Sequence, residues 1–246
     1  MTFCSVIIPR VCVDKTVYER YTQTPLCELA NRSGRYQLQS NERWEMSQPL
    51  NIDIYLDYIC PWCYIASARL FKLKEEYEER IVINWKSFLL DPHGLGPNYV
   101  ARVNESRLRA GMEERSLHFE PWPEDKALPD SSMPAHEAAK CAQMQGREAF
   151  EHYHMTLMKA YSSDCKDIIS RQVLVSLAEE VQLDVKRFIS DLESDIPKRK
   201  VLLEYEEAMK KGSIVGVPTV IIGERAVLEA TVPLEVYKRA VQRLSK

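Results

Sequence analysis

Between residues 51 and 58 the chain reads NIDIYLDY, in which the apolar Ile52, Ile54 and Leu56 alternate with polar or aromatic neighbours. That period of two predicts a β-strand with a buried face. The next stretch, CPWCYIASARLFKLKEEYEE, changes period: Ile65, Leu70, Leu73 and Tyr77 recur at roughly helical spacing, and Pro61 suits a first helical turn. IVINWKSF, rich in β-branched and aromatic residues, then reads as a second strand. A strand, a helix and a strand in so short a span predict a parallel βαβ unit.

After Phe88 the rhythm changes. LLDPHGLGPNYV is punctuated by Pro92, Gly94, Gly96 and Pro97 and reads as a loop. From there to Gly212 the patterns are helical, enough for about four or five helices, with hardly any strand signal. MPAHEAAKCAQMQGREAFEHYHMTLMKAYS is rich in helix formers, RQVLVSLAEEVQ and DVKRFISDL are shorter amphipathic pieces, and PKRKVLLEYEEAMKKG ends in Lys210, Lys211 and Gly212 as a helix C-terminus should. The apolar runs VPTVIIG and ERAVLEA, joined by Gly223, Glu224 and Arg225, predict a β-hairpin, and VPLEVYKRAVQRLSK closes the chain as an amphipathic helix. Residues 1–48 lack a clear period and read as an extension outside the fold, with Met46 just before the first convincing strand.

The order βαβ, helices, ββα is the plan of an α/β thioredoxin-like fold carrying an inserted all-helical region. The expected organisation is an N-terminal extension at 1–48, a thioredoxin-like domain from 49–90 and 213–246, and an inserted helical domain at 91–212.

Composition changes this picture little. With 246 residues and 45% hydrophobic content the chain can bury a sizeable core. A net charge of -3, from 33 basic and 36 acidic residues, lacks the basic excess of a nucleic-acid binder. No run approaches the ~18 apolar residues of a membrane span. The apolar residues of the opening segment are broken by Pro9, Arg10 and Asp14, so the expected address is cytoplasmic, with no nucleic-acid or membrane partner.

The cysteines carry the chemistry. Cys4, Cys12, Cys27, Cys141 and Cys165 are scattered singly and read as inert thiols, whereas Cys60 and Cys63 form a C-x-x-C. Disulfide exchange needs a thiolate, and a cysteine opening a helix has that charge favoured by unpaired backbone N–H groups and the macrodipole. Cys60 stands there, as the expected nucleophile. Cys63, one turn on, is placed to attack a mixed disulfide, as the resolving thiol. Asp57, at the end of the strand, is a candidate for moving the Cys63 proton, against the plainer reading of a solvated strand end.

Zinc is a weak alternative, because a tetrahedral site needs four ligands and no second C-x-x-C or H-x₃-H is present. His136-Glu137 begins like a zinc-protease motif but lacks a second His at i+4. His152 and His154, two residues apart on a helix, face different directions and read as solvated surface. The run Lys72 to Glu76 reads as a solvated helix face, and Met155, Leu157 and Met158 as packing.

Asp57, the run Cys60-Pro61-Trp62-Cys63-Tyr64-Ile65, the stretch Pro134-Ala135-His136-Glu137-Ala138-Ala139-Lys140, and Gly216-Val217-Pro218-Thr219 resemble the DsbA-like thiol-disulfide oxidoreductases, and within them the cytoplasmic FrnE-like branch. The resemblance runs from about residue 50 to the end and leaves the extension without a counterpart. It implies a redox-active Cys60–Cys63 disulfide, no other cofactor, and protein or small-molecule thiols and disulfides as partners, with glutathione a candidate co-substrate. It also implies that Val217-Pro218 forms a cis-proline loop beside the disulfide, and that Pro61, Trp62, Val217, Pro218 and Thr219 line the substrate site. Trp62 replaces the histidine of the strongly oxidising DsbA pattern, which implies a milder potential, between about -270 mV and about -120 mV. Two other readings stay open. One is a relative of the 2-hydroxychromene-2-carboxylate isomerases and kappa-class glutathione transferases, which usually carry Ser where Cys60 stands. The other is a non-catalytic binding or chaperone module.

Overall fold

The computed structural model describes residues 48–91 and 99–245. Residues 1–47, with Met46, Cys4, Cys12 and Cys27, and the Pro92–Pro97 loop lie outside the described residues.

The expected βαβ unit is present. Strand β1 (Leu50–Leu56) leads to helix α1 (Pro61–Tyr77), a 3₁₀ turn (Glu78–Arg80) and strand β2 (Ile81–Ser87). β1 and β2 pair in parallel, with Ile52 opposite Ile83. Strands β3 (Thr219–Ile222) and β4 (Ala226–Glu229) form the hairpin, and β3 runs antiparallel to β1 with Ile52 opposite Ile222. The sheet order β2-β1-β3-β4 therefore makes β1 an interior strand. Interior position explains its sequence: Ile52, Ile54, Tyr55 and Leu56 are all buried, so the strand needs apolar residues on both faces towards its C-terminal end. Gly223, at φ +57, turns the hairpin where a Cβ would come within 2.9 Å of Leu50 Cδ1.

Between β2 and β3 lie six helices among the described residues: α2 (Tyr99–Glu113), α3 (Met133–Met144), α4 (Arg147–Ser162), α5 (Arg171–Glu180), α6 (Val185–Leu192) and α7 (Ile196–Lys211). This corrects the expected four or five. The long helix-forming stretch from Met133 to Ser162 breaks at Gln145 and Gly146, where Gly146 takes φ +132, and α2 forms from a polar sequence that buries only Arg107 and Ala110. Asp184 caps α6, its carboxylate accepting from the Arg187 amide at 3.0 Å, and Gly212 ends α7 in the left-handed conformation. Helix α8 (Leu234–Leu244) closes the chain and packs on α1 and β3.

Tyr55 and Lys86 both reach Glu207 of α7, so this helix covers the sheet face that carries Asp53 and Tyr55. α4 packs on α1, and the buried Leu157, Met158 and Phe188 of the helical region belong to the same core as Ile54 and Leu70. Met155 packs against that core, as the packing reading of Met155, Leu157 and Met158 requires. The Lys72 to Glu76 run is solvated at Lys72, Glu75 and Glu76, but Leu73 is fully buried and Lys74 binds both carboxylate oxygens of Glu151.

Leu157→Ala removes a side chain with no exposed surface and should cost about 2–5 kcal/mol, whereas Leu203→Ala, at a residue 65% exposed, should stay within about 0.5 kcal/mol. Urea unfolding midpoints of the two variants check this, and equal losses would contradict the core as described.

Candidate active site

The interior strand delivers the chain to the site. After Leu56, Asp57 and Cys60 form a turn in which the Cys60 amide donates to Asp57 O at 3.2 Å. Cys60 is the N-cap of α1, extended at φ -98 and ψ 111, and Pro61 opens the helix. That conformation puts the Cys60 side chain at the positive end of a 17-residue helix. The other half comes from the β1–β3 pairing, which sets Thr219 opposite Tyr55 and so brings the preceding loop to the end of β1. The Val217-Pro218 bond is cis, and Cys60 Sγ lies 3.7 Å from Val217 O. Thr219 closes the loop by donating from its hydroxyl to Gly216 O at 2.7 Å.

Trp62 bridges two other elements. Its indole N–H donates to Ser106 Oγ on α2 at 3.0 Å, and its carbonyl accepts from Thr231 Oγ1 at 2.9 Å. The residues expected at the substrate site, Pro61, Trp62, Val217, Pro218 and Thr219, thus gather around Cys60.

Cys60 and Cys63 are free thiols, 2% and 0% exposed. Cys63 Sγ faces inward and meets the Asp57 amide at 3.5 Å. Burial pushes the Cys63 thiol well above its usual range and the neighbouring Cys60 sulfur adds to this; the Asp57 amide works the other way, and the charge of Asp57 adds the smallest upward push. Cys63 is therefore held as a thiol until something takes its proton.

Asp57 is not a solvated strand end: it has no exposed surface. Oδ2 accepts from the Leu90 amide at 2.7 Å and Ser132 Oγ at 2.8 Å, and Oδ1 accepts from the Ile59 amide at 3.1 Å. The Nε2 of His136, on α3, sits 3.4 Å from Oδ1. Nε2 makes no hydrogen bond among the described residues, so the contact is a close approach of the ring edge to the carboxylate.

A second polar chain runs behind the first. Tyr58 OH and His154 Nδ1 are 2.9 Å apart, and His154 Nε2 is 2.9 Å from Ser67 Oγ. His154 is thus buried, which corrects the expected solvated surface, whereas His152 is exposed. The two face different directions as anticipated, but His154 continues the apolar stripe of Phe150, Leu157 and Tyr161, and that spacing was the available signal. Burial, with His136 and Lys140 nearby, lowers its pKa to about 3, so the ring is neutral near pH 7.

His136, Ser132, Ser106 and Thr231 were not singled out as site residues in the sequence. For His136 the signal was its setting among Ala135, Ala138 and Ala139, a buried helix face on which a polar side chain needs a partner. Among the described residues no group of three or more His, Cys, Asp or Glu is disposed to hold a metal ion. Cys141 and Cys165 are buried elsewhere in the helical region.

The profile of the DSBA-like thioredoxin domain family matches residues 51–242. Among curated proteins, the chain is similar to YwbO of Bacillus subtilis, 26% identical over 207 residues that cover 78% of this chain and 96% of that one. It is also similar to the ClpXP adapter protein SpxH of Bacillus licheniformis, 27% identical over 179 residues, covering 70% of this chain and 57% of the adapter. Among solved structures, a putative protein disulfide isomerase from Nitrosomonas europaea superposes with a TM-score of 0.68 at 16% identity, covering 80% of this chain and 97% of that one. The cytosolic disulfide reductase DsbM from Pseudomonas aeruginosa with GSH gives 0.64 at 18% identity, over 80% and 100%. A 2-hydroxychromene-2-carboxylate isomerase gives 0.60 at 18% identity, over 79% of this chain and 95% of that one. These structural likenesses show the fold.

His154 makes a pH prediction. Its folded pKa of about 3 lies below the ordinary 6.5, so the unfolded chain binds the extra proton as pH falls from about 6.5. Stability is greatest above about pH 6.5 and falls on acidification by at most about 1.4 kcal/mol per pH unit from this group. His154→Gln should flatten that loss. Urea midpoints of both proteins at about pH 7, 6 and 5 check it, and parallel curves would contradict the assignment.

Proposed function

The chain belongs to the DSBA-like thioredoxin domain family, and from that premise we propose that it is a thiol-disulfide oxidoreductase working through Cys60 and Cys63. The observation that carries this reading is the placement of Cys60 Sγ at the N-terminus of α1 facing Val217 O beside cis Pro218, with Cys63 one turn behind it.

Cys60 is the attacking sulfur, because free amides and the helix macrodipole favour negative charge where it stands. It displaces one sulfur of a substrate disulfide, which leaves as a thiol, and forms a mixed disulfide with the other. Cys63 then gives up its proton and attacks Cys60 Sγ. The Cys60–Cys63 bond forms, the Cys60–substrate bond breaks, and the second substrate thiol leaves with a proton. The two cysteines are oxidised and the substrate disulfide is reduced; run backwards, the same steps oxidise a dithiol.

Asp57 is the candidate for passing on the Cys63 proton. Pro61, Trp62, Val217, Pro218 and Thr219 form the substrate surface, where an extended peptide can pair with the backbone around Val217. Substrates are protein or small-molecule thiols and disulfides, with glutathione a candidate co-substrate and no cofactor beyond the cysteine pair. The proposed address is cytoplasmic. No helix among the described residues is long and apolar enough to cross a membrane, and DsbM, whose fold is shared, is a cytosolic reductase.

A second reading has a specific observation behind it: the fold is shared with a 2-hydroxychromene-2-carboxylate isomerase. The intact cysteine pair favours redox chemistry. A third, a binding module, draws support from the SpxH relatives, which are named as adapters.

Insulin reduction separates the three. Cys60→Ser should abolish activity, and Cys63→Ser should accumulate mixed disulfides at Cys60, read by mass spectrometry. Unchanged insulin reduction in Cys60→Ser, or trapping through Cys63 in that variant, would defeat the redox reading.

A further inference from the structure

Asp57 and His136 come from distant parts of the chain and meet in a place where neither side chain sees solvent. Asp57 sits at the corner between β1 and α1, and His136 on the first turn of α3. Three donors fix the carboxylate, two on Oδ2 and one on Oδ1, and His136 Nε2 lies against Oδ1 with no hydrogen bond of its own among the described residues. An N–H on Nε2, present in the imidazolium and in one neutral tautomer, turns a positive edge towards that oxygen.

We propose that His136 is a positioning residue of the dithiol site: it moderates the charge of Asp57, the residue whose amide meets Cys63 Sγ, and so governs how readily Cys63 releases its proton in the resolving step. This deepens the redox reading and rests on it.

The geometry gives the direction. Burial and the Cys60 sulfur are the main obstacles to ionising Cys63, and the charge of Asp57 adds to them, while the Asp57 amide that meets Cys63 Sγ at 3.5 Å works the other way. Burial and Cys60 are fixed by the fold and by the reaction, whereas the field of Asp57 depends on what shares its oxygens. An N–H on His136 Nε2 turned towards Oδ1 draws part of that field to itself and away from Cys63. Other groups face the pair. Tyr58 packs edge-on to His136 at 4.9 Å between centroids, His154 of α4 stands behind Tyr58, and Lys140 follows His136 by one turn on α3, paired with Glu204 of α7. His154 is neutral and Lys140 is paired with a carboxylate, so of these three basic side chains His136 is the one placed on Asp57, beside Ser132 Oγ and the Ile59 and Leu90 amides.

The test uses the full chain and Ellman's reagent, an aromatic disulfide that releases one coloured thiolate when Cys60 attacks and a second when Cys63 resolves the adduct. The rate of the second release is followed against pH, with Cys60→Ser identifying the phases that belong to the pair. His136→Phe keeps a ring for Tyr58 but removes the polar edge. It should slow resolution about tenfold near pH 7 and raise the midpoint of the pH profile by about one unit, since thiolate falls tenfold per unit below the midpoint. His136→Gln, which restores a donor, should recover most of the loss. Ser132→Ala removes another donor from Asp57 without adding bulk, and should shift the midpoint the same way should the Phe variant fail to fold. A midpoint unmoved or lowered in the folded variants overturns the proposal. Paired release phases that persist in Cys60→Ser would instead defeat the redox reading itself.

Discussion

The pairing of β1 on both of its edges is the constraint from which the site follows. Because β2 and β3 flank it, the end of β1 can move only if two ladders move, and everything at the site hangs from that end: the Asp57 turn, Cys60 at the helix start, and the Val217-Pro218 loop carried by β3. A sulfur that must meet a backbone carbonyl and a substrate sulfur within a few tenths of an ångström needs such an anchor. Trp62 adds a tie to α2 and another to the strand-helix junction at Thr231, so the first turn of α1 is fastened on two further sides.

Rigidity of this kind requires burying polar groups. Taking a carboxylate out of water costs several kcal/mol, while hydrogen bonds to a charged group contribute about 1.5–3 kcal/mol each. The three that Asp57 accepts are therefore of the size needed to offset its burial. Two of the three are backbone amides, which can only donate, whereas the Ser132 hydroxyl can also accept should the carboxyl take up a proton. Lys140 solves the same problem differently, with Glu204 and the carbonyl of Trp85, and Arg107 by donating to three carbonyls while lying on Trp122 and Tyr161. Asp57 and Lys140 differ from Arg107 in joining the sheet to the helical region, Asp57 reaching Ser132 and His136 before and on α3, Lys140 reaching β2 and α7.

How much of this was legible depends on which force wrote it. β1, α1, β2, the hairpin and α8 announced themselves either by an apolar face at the period of the backbone or, as in β3, by a short continuous apolar run bounded by turn residues. α2 did not, since it buries little, and the division of Met133–Ser162 hid behind strong helix formers around a single glycine whose φ of +132 no periodicity reveals. The cysteine pair and the Val217-Pro218 loop were readable as motifs. What escaped was the buried polar layer, because His136, Ser132 and His154 acquire meaning only from partners 75 to 96 residues away along the chain in the contacts they make. His154 belongs with the buried stripe of Phe150, Leu157 and Tyr161, a relation that its spacing from His152 does not reveal.

That polar layer also bears on why the two sulfurs differ. They are one turn apart on one helix and both are nearly without exposed surface, so exposure alone does not separate them. Their second neighbours do. Cys60 looks towards a carbonyl on the substrate side of the loop, where a partner peptide lies in the proposed reaction, while Cys63 looks towards Asp57 and, through it, α3. Reactivity in disulfide exchange depends on which sulfur carries the charge and which keeps its proton. The fold points one sulfur at the Val217 carbonyl and the other at the Asp57 amide, and in the proposed reaction those directions would assign the two parts, with the helical region contributing Ser132 and His136 to the setting of Asp57 as well as covering it.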